Sequence, residues 1–433
     1  MGSSAGRGVP RQVRYLIKWL VLSLVIGAVA GVLVYIVQSG VARLSAARAM
    51  LPAPYPYILP VLGGLIVGFA VHRIDAAASG FGSPTYIHSV QRRGGYLEPK
   101  TVLLYLLGTV VTLGLGGSGG FVGPACLIGG GAGSILFRKL RILSRPLALR
   151  TGDMRLAMVC GAGAGVAAAL DAPIGGGIFA AEVLYAASLE YEGLFPALLA
   201  SVTGYSVHSA ITEFGSPYRR GELVFDFGLA PGLVLTAVLA SVLGILFVVA
   251  FKRVFDMFQR HNRVGRWRPA IGGLVCAALG LALQGKVLGP GTELFSQMLK
   301  PDTAHGAAVV VALLGLLLLG KLAATVFTVG SGNPAGLTFP VLIIGAMGGK
   351  IMASVLVPLL ECSSAPTAST HIAYVATGMA GLLAAVLNVP IAALVIVMEM
   401  FGTSYAAPAA LGSIIAFTLA RSDVVYGYLD KGE

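Results

Sequence analysis

The chain has 433 residues, of which 56% are hydrophobic and only 11% are charged. An average soluble domain carries about a quarter charged residues, so this composition excludes a water-soluble globular protein and indicates an all-α integral membrane protein. The net charge of +12 does not indicate a nucleic-acid partner, because the basic residues lie between apolar runs and form no stripe interleaved with aromatic side chains.

The N-terminal residues 1–14 form a polar and basic tail, which is followed by the apolar run Leu16 to Val37. This run is too long for a signal peptide and lacks a small-residue cleavage site, so we expect no processing. Arg7, Arg11 and Arg14 precede it, and basic residues mark the cytoplasmic ends of membrane helices. We therefore predict a cytoplasmic N-terminus.

Apolar runs recur along the chain, for example at Leu229 to Phe251 and from Ala307 to Leu319 with its flanks. A membrane helix needs roughly 20 such residues, and the sequence predicts ten or more of them. Charged clusters separate the runs, and those at 138–141 and 252–268 indicate further cytoplasmic flanks. The chain is thus predicted to cross the membrane many times.

Glycine clusters interrupt the apolar runs, and each ends in a proline that begins a new run. They are Gly80-Phe-Gly-Ser-Pro84, Gly116 to Pro124, Gly330 to Pro340, and the segments before Pro173 and Pro390. Proline suits the first turn of a helix, and free amides with the positive dipole end make helix N-termini good anion sites. We predict that three of these termini converge on an anion path, whereas the glycines of 129–133 and 175–177 serve close helix packing.

The second half of the chain repeats the first. Gly120-Phe-Val-Gly-Pro124-Ala-Cys-Leu-Ile-Gly129 returns as Gly336-Leu-Thr-Phe-Pro340-Val-Leu-Ile-Ile-Gly345 at an offset of 216, and Gly161, Pro173 and Glu182 return as Gly378, Pro390 and Glu399 at an offset of 217. The pattern predicts one transmembrane domain, residues 15–433, with repeat one at about 50–210 and repeat two at about 225–420. Inverted repeats of this kind place the substrate site where their interrupted helices meet.

These segments resemble the motifs of the CLC family of chloride channels and transporters. Gly80-Phe-Gly-Ser-Pro84 resembles the family's Gly-Ser-Gly-Ile-Pro loop, and Gly120-Phe-Val-Gly-Pro124 resembles its Gly-Arg/Lys-Glu-Gly-Pro motif. Gly336-Leu-Thr-Phe-Pro340 is similar to Gly-x-Phe-x-Pro, and Tyr426 stands where the family places a pore tyrosine. The similarity extends from about residue 15 to the end of the chain.

The resemblance implies a homodimer of multi-pass subunits in a prokaryotic plasma membrane, each with its own path for a halide or other small monovalent anion. It implies no metal or organic cofactor, no enzymatic activity and no C-terminal CBS domains; the implied partners are the anion, membrane lipid and a second copy of the chain. Backbone amides of Leu337, Thr338 and 121–123 would bind the anion, and the Tyr426 hydroxyl would donate to it. The implied path consists of Phe81, Gly82, Ser83, Phe121, Val122, Gly123, Leu337, Thr338, Phe339 and Tyr426.

Departures from the family pattern favour passive conduction. Val122 replaces the gating glutamate and Val183 replaces the internal proton glutamate, so neither position can carry a proton. Phe81 replaces the serine that would donate to the central anion, and Thr338 followed by Phe339 replaces the motif phenylalanine. Chloride is the expected substrate, with fluoride, bromide and nitrate left open because size and hydration decide selectivity.

Two alternatives remain at the level of sequence. A proton-coupled chloride or fluoride exchanger would use Glu182 or Asp171, although Glu399 in the equivalent place favours a structural role for Glu182 at a helix end, and Asp171 suits a helix cap. An intramembrane serine hydrolase would use Gly116-Gly-Ser-Gly-Gly120 with His208 or His371. A nucleophile elbow, however, requires a strand-turn-helix setting, which the sequence does not predict.

Overall fold

A computed structural model describes residues 11–143, 149–150, 152–184, 191–212, 222–260, 262–300, 306–360, 368–420 and 425. In this part of the chain, sixteen α-helices follow one another. They are α1 (Arg11–Ala49), α2 (Tyr55–Ile74), α3 (Ser83–Arg92), α4 (Pro99–Gly114), α5 (Val122–Leu143), α6 (Asp153–Leu170), α7 (Pro173–Glu182), α8 (Tyr191–Thr212), α9 (Ala230–Arg260), α10 (Arg268–Ala282), α11 (Thr292–Met298), α12 (Ala307–Gly330), α13 (Thr338–Leu360), α14 (Ala368–Leu387), α15 (Pro390–Phe401) and α16 (Ala406–Ala420).

Among the described residues, nine helical segments are long and apolar enough to cross a membrane. This is fewer than the ten or more that the apolar runs predicted, because part of the apolar sequence lies in shorter helices such as α4 and α15. Short helices that begin at a proline are the broken helices expected from the glycine clusters: α7 begins at Pro173 and α15 begins at Pro390. The all-helical membrane fold is therefore confirmed.

The order of the helices shows the internal repeat directly. Helices α1–α8 correspond in sequence to α9–α16: α5 and α13 begin at Val122 and Thr338, and α7 and α15 begin at Pro173 and Pro390, which are the spacings of the repeat. Helix α1 precedes α2 as α9 precedes α10, and the bounds of the two repeats stay predictions from the sequence. The segments before α5 and α13 meet in an antiparallel bridge between Gly120 and Gly336, as an inverted relation requires.

Glycine pairs hold α5 against α6 and α13 against α14. A Cβ placed on Gly161 would collide with the carbonyl oxygen of Gly129, and one on Gly378 would collide with that of Gly345. Small residues let membrane helices approach at backbone distance. The packing role predicted for Gly129 is therefore confirmed, and the equivalent pair in repeat two packs in the same way.

Candidate functional site

The N-terminal ends of α3, α5 and α13 meet in the interior of the protein. The amide of Gly120 donates to the Gly336 carbonyl at 2.8 Å, and the amide of Gly336 donates to the Gly120 carbonyl at 2.7 Å. A Cβ on Gly123 would collide with the Phe81 carbonyl oxygen and would lie 3.0 Å from the Gly336 Cα. Three of the predicted helix termini, one of them from repeat two, thus converge.

Several backbone amides at this convergence have no hydrogen-bond partner among the described residues. The first amides of a helix have no intrahelical acceptor, and within the described residues the amides of Val122, Gly123, Leu337 and Thr338 form no hydrogen bond. Val122 is only 1% exposed, and Leu337 and Thr338 are also buried. Since buried amides are almost always paired, these groups form a suitable site for a dehydrated anion.

Two cavities lie on either side of the convergence. The first, vestibule A, has a volume of about 950 Å³ and includes Phe121 and Phe339 in its lining. The second, vestibule B, has a volume of about 640 Å³ and includes Phe81 and Gly82 in its lining. Because Phe81 touches the segment that begins α5, the two vestibules are separated by little more than the converging helix ends.

The long helix α1 relates the vestibules to the two faces of the membrane. Its C-terminal part, including Gln38 and Arg48, lines vestibule A, so the basic N-terminal end of α1 lies toward the opposite face. Vestibule B has Arg266 and Arg268 in its lining. Two arginines of the basic cluster at 252–268 therefore lie on the side of vestibule B.

Aromatic rings flank the convergence from both sides. The Phe81 ring meets Phe251 edge to face, with centroids 5.4 Å apart, and the Phe339 ring meets Phe295 at 5.8 Å. Ser83 is buried, and its amide donates to the Phe81 carbonyl at 2.9 Å. The Ser83 amide is therefore engaged within its own turn, unlike those of the α5 and α13 termini.

Tyr426, the predicted hydroxyl donor, lies outside the described residues.

The N-termini of α7 and α15 are occupied by carboxylates of the protein itself. The Glu182 carboxylate accepts from the amides of Ile391 at 3.0 Å and Ala392 at 2.7 Å. The Glu399 carboxylate accepts from the amides of Ile174 at 2.9 Å and Gly175 at 2.7 Å. The structural role predicted for these glutamates is confirmed, and each repeat caps a helix of the other.

These reciprocal caps yield a stability prediction. Glu182→Ala or Glu399→Ala leaves two amides without an acceptor, and we expect each to lower the free energy of unfolding by about 1–3 kcal/mol. Thermal unfolding of the purified protein in detergent measures the effect. Glu98→Ala is the control, because the Glu98 side chain is 45% exposed and pairs with the exposed Lys100. Equal melting temperatures for the wild type and all three variants would contradict the capping role.

Asp171 caps a helix through its backbone and not through its side chain. It ends α6 in the left-handed conformation with φ 54°, and its repeat counterpart Asn388 ends α14 with φ 58°. Short polar residues tolerate this conformation better than most. Asp171 is among the residues that line vestibule A, whereas Val183 is buried just beyond α7.

The serine of the Gly116–Gly120 loop contacts helix α12 and no histidine among its described partners. The Ser118 hydroxyl lies 3.0 Å from the Thr325 hydroxyl, and the Ser118 amide donates to the Thr328 hydroxyl at 3.1 Å. His208 is bound elsewhere, to Gln38 at 2.7 Å. The arrangement that a serine hydrolase needs is not assembled around Ser118.

Lys321, which is fully buried in α12, was not among the residues predicted from the sequence. The sequence did contain a sign of its importance, because this lysine is the one charged residue of the run Ala307–Gly330. Ionisable residues within membrane helices are rare unless they serve a function.

The described part of the chain contains two inverted repeats, broken helices, and unpaired amides between two vestibules. Together these features define a membrane protein with an internal anion pathway. Residues 63–421 match the sequence profile of the family described as voltage gated chloride channel. The chain therefore belongs to this family, the CLC family of anion channels and transporters.

Individual relatives cover nearly the whole chain. An uncharacterised protein of Methanocaldococcus jannaschii is 27% identical and aligns over 96% of each chain. The "Chloride/fluoride channel protein" of Pseudomonas syringae is also 27% identical, over 95% of this chain and 86% of its own. A crystal structure of a CLC-type fluoride/proton antiporter superposes with a TM-score of 0.81 at 22% identity, covering 97% of this chain and 98% of the other.

Proposed function

We propose that the protein is a passive chloride channel that moves anions without coupling them to protons. The observation that carries this proposal is the set of buried, unpaired amides at the ends of α5 and α13, between two vestibules. Such amides replace part of the water shell of an anion at a helix N-terminus. The anion passes from one vestibule to the other along the path that Val122 borders.

The absence of proton coupling is supported by the side chains along this path. Val122 starts α5 at the convergence, and Val183 follows α7. Neither valine binds a proton, and proton movement through a bilayer needs titratable groups in sequence. Glu182, which adjoins Val183, has both carboxylate oxygens engaged by amides of α15.

A proton-coupled exchanger is the second candidate function. The observation in its favour is that Asp171, which has a titratable side chain, is among the residues that line vestibule A. The relative from Pseudomonas syringae is named as a channel for both chloride and fluoride, so either halide is a coherent substrate for the pathway.

Proton movement in liposomes separates the two candidates. Purified protein is reconstituted into liposomes that hold a chloride gradient and a pH-sensitive dye, with potassium at equal concentration on both sides and a potassium ionophore that carries the balancing charge. The channel proposal predicts chloride flux and no uphill acid movement. Asp171→Asn is the diagnostic variant: it should leave chloride flux unchanged in a channel and should abolish acid movement in an exchanger that uses Asp171.

We further propose a homodimer with one path per subunit, in a prokaryotic plasma membrane, with the N-terminus in the cytoplasm. One path per subunit is supported by the convergence itself, because α3, α5 and α13 of a single chain form it. The orientation is supported by Arg266 and Arg268, which line vestibule B on the side toward which the basic start of α1 points.

A further inference from the structure

Each repeat holds a glycine loop in place with a side chain from a neighbouring helix. In repeat one, the Tyr105 hydroxyl of α4 donates to the Gly80 carbonyl at 2.6 Å. The amide of Gly80 in turn donates to the Gly332 carbonyl, in repeat two, at 3.1 Å. A neutral phenol thus holds the loop before α3, and the Gly80 amide links that loop to the other half of the molecule.

Repeat two contains the same arrangement with a different donor. The Lys321 ammonium of α12 donates to the Gly289 carbonyl at 2.8 Å, and the amide of Gly289 donates to the Gly116 carbonyl at 3.1 Å. At the offset of the Gly120 and Gly336 motifs, Lys321 is equivalent to Tyr105, and Gly332 is equivalent to Gly116. The two attachments are therefore counterparts under the internal repeat.

The two loops that are held in this way line different vestibules. Gly80 lines vestibule B, whereas Gly289 and Gly291 line vestibule A. A Cβ on Gly291 would lie 3.2 Å from the Lys321 nitrogen, so the ammonium is one residue away from the surface of vestibule A. The tyrosine places no formal charge at the equivalent position behind vestibule B.

The charge of Lys321 is costly where it lies. Its side chain is 0% exposed, and its hydrogen-bond partners are the carbonyls of Val287 at 3.3 Å and Gly289. No carboxylate of the described residues pairs with it. A buried charge without a counter-ion is strongly disfavoured, and Tyr105 shows that a neutral donor can hold such a loop.

We infer that Lys321, in its protonated form, provides a positive charge that concentrates the permeating anion in vestibule A. This inference rests on the proposed anion conduction and assigns Lys321 as a residue that determines anion affinity. A unit charge acting through an effective dielectric constant of about 20 over roughly 12 Å changes the local anion concentration on the order of tenfold. Its carbonyl partners carry no formal charge, so no ion pair among the described residues neutralises the ammonium before its field reaches the vestibule.

The decisive variant is Lys321→Tyr, which gives repeat two the neutral donor of repeat one and removes the charge. We expect the half-saturating chloride concentration for liposome flux to rise about tenfold, and we expect Lys321→Arg to stay within about twofold of the wild type. The half-saturating concentration does not depend on how many molecules are active, so a loss of folded protein alone would not change it.

The possible results separate this inference from the proposed function. An unchanged half-saturating concentration in Lys321→Tyr overturns the inference, while chloride flux through the wild type leaves the proposed function standing. A wild type without chloride flux overturns the proposed function itself. If Lys321→Tyr yields no folded protein, the comparison of Lys321→Gln with Lys321→Arg decides the same question, and equal values for the two would reject an electrostatic role.

Discussion

Replacing Val122 with glutamate should make anion flux fall as pH rises, by about tenfold between about pH 4 and about pH 8. Val122 is the first residue of α5 and is buried beside the unpaired Gly123 amide. A protonated carboxyl group there is neutral, and an ionised one competes with the permeating anion for the same amides. Chloride efflux from liposomes at a series of pH values measures the change.

Val122→Gln is the matched control for this experiment, because glutamine has nearly the size of glutamate and does not ionise. Its flux should be independent of pH, whatever its absolute rate. Identical pH profiles for Val122→Glu and Val122→Gln would show that Val122 does not border the anion path.

Gly161→Val should abolish the folded state. Any Cβ at Gly161 collides with the Gly129 carbonyl of α5, and neither backbone can move without separating α5 from α6. Overpacking alone costs about 1–3 kcal/mol, and a clash with rigid backbone exceeds that range. The measurement is the yield of monodisperse protein in size-exclusion chromatography after detergent extraction.

Gly315→Val in α12 is the control for the glycine substitution. It introduces the same side chain into a membrane helix, but a Cβ on Gly315 has no neighbouring atom within 4 Å. We expect a yield close to that of the wild type. A monodisperse Gly161→Val protein would contradict the close contact of α5 and α6 on which the placement of the α5 terminus depends.

The sequence allowed the repeat and the helix N-termini to be predicted because both depend on local chemistry. A glycine cluster followed by proline ends one helix and starts another, and the equivalent clusters at Pro124 and Pro340 identified the two halves. The assignment of Glu182 to a helix end followed from its repeat counterpart Glu399. Symmetry in the sequence thus carried information that single motifs did not.

Which termini remain available to an anion could not be predicted from the sequence. Glu399 caps a helix of the other repeat, and its partner Ile174 is 225 positions away along the chain. Such contacts arise from tertiary packing, so local patterns predicted five similar termini where the structure leaves those of α5 and α13 with unpaired amides.

The reversal potential of the reconstituted protein under separate chloride and pH gradients tests the central claim most directly. A passive channel predicts a potential that follows the chloride gradient by about 59 mV per tenfold ratio and stays constant when a pH gradient is added. A potential that moves when only the pH gradient changes would show that protons cross with the anion and would contradict passive conduction.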